Sequence, residues 1–169
     1  MNKKYIFFLI AVLWLIIVIA FIGFKQWTLS TGTKVLLKTV PVDPRDILRG
    51  DYVILNYEIS RLNLDNIPSD FTNLSQRSRI FLILEKKDKY WFAKEIRKDK
   101  PKKDMIFIKG KVKKINGKEI FVAYGIESYF VPEGKGREIE KLRGKSLSVE
   151  VSIDSFGNAI IDKLFVNGK

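Results

Sequence analysis

The chain has 169 residues, 31 Lys and Arg against 19 Asp and Glu for a net charge of +12, and neither cysteine nor histidine. Without cysteine there is no disulfide framework and no thiolate nucleophile or ligand. Without histidine the usual general base near neutral pH and the commonest transition-metal ligand are gone too, so any chemistry rests on carboxylates, lysine, tyrosine or hydroxyls.

Residues 1–4 precede Tyr5–Phe24, an uncharged run of Tyr, Phe, Leu, Ile, Val, Ala, Trp and Gly. As a helix it spans about 30 Å, the thickness of a bilayer's hydrocarbon core. A cleaved secretory leader carries an apolar region of only about 7–15 residues and then small residues at its cleavage site. Phe21, Ile22 and Phe24 stand there instead, so an uncleaved anchor is expected. Lys3 and Lys4 outweigh Lys25 across the span. That bias places the N-terminus in the cytoplasm and the remaining chain outside it, on a single pass through the cytoplasmic (inner) membrane. Trp27 falls at the headgroup level. Residues 25–33 read as a short polar connector containing Gly32, and 34–169 as one extracytoplasmic β domain.

Thr33–Val42 is rich in β-branched residues and suits a first strand, closed by Pro41 and Pro44, which cannot donate to a ladder. Pro44 suits a type I turn with the Asp43 carboxylate accepting from the backbone ahead, and Gly50 permits a positive φ before the next strand. From Asp51 to Ile59 the residues start apolar on both parities, which predicts a central strand covered on two sides. Arg45, Asp46, Arg49 and Asp51 can pair locally to fix the entry to that strand or form a docking surface.

Arg61–Arg79 loses its period and reads as a long, mobile connection, with one helical turn capped by Ser69 or Asp70. Ile80–Leu84 and Tyr90–Ala93 form a hairpin around a polar loop at residues 85–89, and Met105–Ile115 with Lys118–Ala123 a second one around Asn116-Gly117. Gly125 interrupts a β-branched and aromatic run, predicting a bulge or a close backbone approach. Residues 137–143 suit a short helix stopped by Gly144. Ser146–Asp154 alternates, with Leu147, Val149, Val151 and Ile153 inward and Ser148, Glu150 and Ser152 outward, and a turn at Phe156-Gly157-Asn158 returns the chain through Ala159–Val166 as a sheet with one wet face. The fold expected is therefore all-β and antiparallel, a sandwich or partly open barrel, on an N-terminal transmembrane helix.

Gly50, Asp51, Tyr52, Leu55 and Tyr57, led by Asp43-Pro44-Arg45-Asp46, resemble the signature of the GDYXXLXY family of membrane-anchored proteins. The block Tyr124–Gly134, which contains Glu127 and Glu133, is similar to that family's second distinctive segment. The resemblance implies a single-pass anchor with an extracytoplasmic β domain, associated with multi-span membrane proteins, and implies no activity.

Charge is concentrated in Glu85–Lys118, which holds fourteen Lys and Arg against five Asp and Glu. Lys109, Lys111 and Lys113 share one side of a strand opposite Ile108, Gly110 and Val112, either as a solvated face or as a surface for anionic lipid headgroups or an envelope polymer. Nucleic acid is excluded by the expected topology. No nucleotide loop, cofactor motif or catalytic triad is present, so a non-enzymatic role is expected, and what the resemblance implies makes it an accessory role toward a multi-span membrane partner. A further alternative is a hydrolase using Asp43 or Asp51 with Glu127 or Glu133 as a carboxylate pair.

Overall fold

The computed structural model describes residues 3–40, 52–71, 73–102, 104–130 and 147–166. Helix α1 (Lys3–Thr31) is long and apolar enough to cross a bilayer. It runs through most of the segment read as a polar connector. Thr28 and Thr31 turn their hydroxyls back onto the carbonyls of Phe24 and Trp27, which hides their polarity within the helix.

Eleven strands follow among the described residues: β1 (Thr33–Val40), β2 (Tyr52–Ile54), β3 (Asn56–Tyr57), β4 (Arg61–Asn63), β5 (Arg79–Lys87), β6 (Tyr90–Arg97), β7 (Phe107–Asn116), β8 (Glu119–Ala123), β9 (Ser128–Phe130), β10 (Leu147–Ile153) and β11 (Ala159–Val166). They form a four-stranded sheet, β11-β10-β1-β3, a five-stranded sheet, β4-β8-β7-β5-β6, and the pair β2-β9, and every ladder between these strands is antiparallel. Val35, Leu37, Val149 and Val151 from the first sheet meet Ile80, Leu82, Ile96, Ile108, Val112 and Ile120 from the second in one buried core.

The two sheets nearly close into a barrel. At one seam the Tyr90 hydroxyl of β6 lies 3.1 Å from Ser148 Oγ of β10, and Lys38 of β1 sits over the Tyr90 and Phe92 rings. At another, the turn between β10 and β11 docks on β7, where Lys109 N donates to Gly157 O at 2.8 Å. Gly157 has φ +81°, and a Cβ there would press on the Phe107 ring.

The expected continuous central strand over residues 51–59 is broken. β2 pairs with β9, β3 pairs with the end of β1, and a 3-10 turn at Glu58–Ser60 carries the chain into β4 of the other sheet. Apolar residues on both parities thus mark a chain crossing between two sheets rather than a strand covered on both faces. The expected turn capped by Ser69 or Asp70 is not helical: Ser69 bridges Ile96, and Asp70 Oδ1 accepts from Lys98 N. This connection is fastened along β6 instead of hanging free. Pro68 O accepts from Ile96 N, while Leu64, Ile67, Phe71 and Leu74 pack on the core.

The outer face of β10 is wet only at its middle, where half-exposed Glu150 is paired across the ladder with exposed Lys163. Ser148 and Ser152 are buried, Ser148 against Tyr90 and Ser152 against the end of α1. Both hairpins form: the first turns more tightly than expected, with Lys87 paired to Tyr90, and the second keeps a two-residue turn but one residue further on, with Asn116 paired to Glu119 around Gly117-Lys118.

Candidate functional site

The two motif blocks meet. β2 and β9 align Tyr52 with Phe130 and Ile54 with Ser128, and Leu55 N then donates to Glu127 O at 2.8 Å. Two buried tyrosines lock the junction reciprocally. The Tyr57 hydroxyl donates to Ile126 O, and the Tyr124 hydroxyl to Ile59 O, each at 2.6 Å. Burial first, and the Glu127 charge second, push both phenols well above their ordinary range, so both remain donors. Leu55 and Tyr57 are therefore core residues.

Gly125 makes no close approach. It takes φ +83° and open space surrounds its missing side chain, so its role is a turn. Glu127 caps that turn, its Oε1 accepting from Tyr124 N at 2.5 Å and its Oε2 from Gly125 N at 3.0 Å. The close approach falls at Gly110, where a Cβ would meet Val122 and the Tyr124 ring.

Beside this turn lies a groove of about 670 Å³ lined by Arg77, Arg79, Lys109, Lys111, Lys113, Gly125 and Glu127 among others. The lysine row stands as expected, with Lys111 and Lys113 exposed while Ile108, Gly110 and Val112 are buried. Lys113 occupies a bulge between Val112 and Lys114, and its carbonyl accepts from Gln76 Nε2. Arg77 and Arg79 were not evident from the sequence. Arg79 is brought opposite Lys111 by the β5-β7 register, and Arg77 is turned in by a left-handed backbone, φ +72°, whose N–H donates to Val112 O at 2.8 Å. The one signal that could have found them is that they fall four and two residues before Phe81, on the parity opposite buried Ile80 and Leu82.

The groove is strongly positive. Arg77, Arg79, Lys111 and Lys113 have no carboxylate partner among the described residues, Lys109 Nζ donates to the neutral Asn158 side chain, and the acid on the rim has both oxygens occupied by backbone donors. Like charges facing one concavity raise the local potential and attract anions.

Asp43, Arg45, Asp46, Arg49, Gly50, Asp51 and Glu133 lie outside the described residues, as do the Tyr52 side chain and the helix expected at 137–143. Of the carboxylates weighed as a hydrolytic pair, Glu127 is described, and its oxygens hold a turn. No curated protein and no solved structure matches this chain. The profile described as GDYXXLXY protein matches residues 14–164, most of the chain, and the protein belongs to the GDYXXLXY family.

Proposed function

We propose that this is a non-catalytic accessory protein of the cytoplasmic membrane, whose single helix stays attached and whose extracytoplasmic β domain binds a multi-span membrane protein. The observation that carries the reading is the junction between helix and domain. Thr28 in the last turns of α1 is buried, and its carbonyl accepts from Gly32 N at 3.0 Å and from Ser152 Oγ of β10 at 2.6 Å. A leader destined for removal has no reason to be built into the domain it precedes. A domain packed onto its anchor presents one fixed surface to a neighbour in the same membrane. After mild detergent extraction the protein should co-purify with one dominant multi-span protein, and recovery of the folded chain alone would count against the proposal. A reporter fused at Lys169 should be extracytoplasmic; a cytoplasmic reporter contradicts the topology.

The groove supports a second reading, an anion-binding module for an envelope polymer or lipid headgroups. Full-length protein in zwitterionic nanodiscs should bind polyphosphate. That binding should weaken at moderate salt and fall at least tenfold in Lys111→Glu/Lys113→Glu; binding unchanged by the double variant rejects the groove as its site.

A further inference from the structure

A second concavity, of about 340 Å³, lies where α1 enters the domain, lined by Phe24, Trp27, Lys100, Met105 and Phe156 among others. We propose that it is a binding site for a membrane glycerophospholipid, with the headgroup phosphate on Lys100 and the upper acyl chain against Phe24, Trp27, Met105 and Phe156. The inference rests on α1 spanning the bilayer.

Depth is the first argument. The uncharged run ends at Phe24, the edge of the hydrocarbon core, and Thr31 lies seven residues on. At about 1.5 Å per residue the helix therefore rises about 10 Å beyond the core. One headgroup layer is about 5–7 Å deep. The concavity that Phe24 and Trp27 share with Lys100, Met105 and Phe156 runs from the core edge up to Thr31 and Thr33, so it crosses the headgroup layer.

Composition is the second. Outside α1, the exposed large apolar residues among those described are Val40, Met105, Phe130 and Phe156, and two of the four line this concavity. Phe156 is 58% exposed and Trp27 69%, a cost in water that the interface of a bilayer removes. Lys100 sits 4.4 Å from the Phe156 ring centroid and has no carboxylate partner among the described residues. Asp154, the nearby acid, spends its oxygens on Phe156 N, Asn158 N and Asn158 Nδ2. A cation beside an apolar slot that crosses the headgroup layer matches the phosphate and upper acyl chain of one lipid.

The chain has no cysteine, so single-cysteine spin labels report cleanly. Labels at Ile16→Cys, Phe156→Cys and Met105→Cys are placed in full-length protein in phosphatidylglycerol/phosphatidylcholine nanodiscs. Accessibility to oxygen and to a nickel chelate gives the depth of each. Expected are a bilayer-centre signal at 16 and headgroup-depth signals at 156 and 105. Native mass spectrometry of the detergent-purified protein with added phosphatidylglycerol should show one retained lipid per chain, reduced at least threefold by Lys100→Gln. Aqueous signals at both 156 and 105 with a buried signal at 16 overturn the site and leave the spanning helix standing; an aqueous signal at 16 sinks both. Lipid retention unchanged by Lys100→Gln overturns the phosphate assignment.

Discussion

Tyr57 and Tyr124 show how single side chains hold the motif blocks together. Tyr57→Phe leaves the buried Ile126 carbonyl without its donor, which should cost about 1–2 kcal/mol in urea unfolding at pH 8. Both phenols have folded pKa values raised above the unfolded value of about 10, so their stabilisation is complete below that pH. Above it the unfolded chain releases protons that the folded chain keeps, and each phenol removes about 1.4 kcal/mol of stability per pH unit. The deficit of Tyr57→Phe should therefore narrow between pH 8 and pH 11; a constant deficit would mean that the phenol ionises equally in both states. Arg77 separates charge from fold. Its left-handed backbone costs a non-glycine residue about 1–2 kcal/mol, so Arg77→Gly should unfold at higher temperature while binding polyphosphate more weakly.

At the scale of elements, the turns, hairpins and strand faces were legible because they follow local rules. Lys109, Lys111 and Lys113 obey the two-residue period, and positive φ at Gly117 and Gly157 marks two reversals. The broken strand over 52–63 was not legible, because which sheet each fragment joins depends on partners far along the chain. The burial of Ser148 and Ser152 was hidden for the same reason, since serine spacing does not reveal that Tyr90 and Thr28 cover that face. Arg79 joined the basic row only through the β5-β7 register, and Arg77 only through the left-handed turn that precedes β5. Gly110 makes this packing testable. Adding a Cβ beneath the Tyr124 ring should cost about 1–3 kcal/mol in Gly110→Ala by thermal unfolding. An unchanged midpoint would show that the β7-β8 ladder can part to admit it.

At the scale of the molecule, the helix end, the nearly closed barrel and the basic groove form one connected object. Gly32 is its tightest point, because a Cβ there would press on Ser152 Oγ and the Thr28 carbonyl. Gly32→Ala should loosen the helix from β10 and speed trypsin cleavage at Lys25 or Lys34, read by timed proteolysis in detergent; unchanged rates would mean that the junction absorbs the methyl group. The central claim is that anchor and domain act as one body toward a partner in the same membrane. The most direct test compares wild-type protein with a variant carrying a flexible Gly/Ser insertion of about eight residues between Gly32 and Thr33, both purified from native membranes in mild detergent. Wild type should bring down one multi-span protein in fixed proportion, and the insertion variant should lose it while its β domain stays folded. A variant that keeps the partner, or a wild type that comes down alone and folded, would contradict the account.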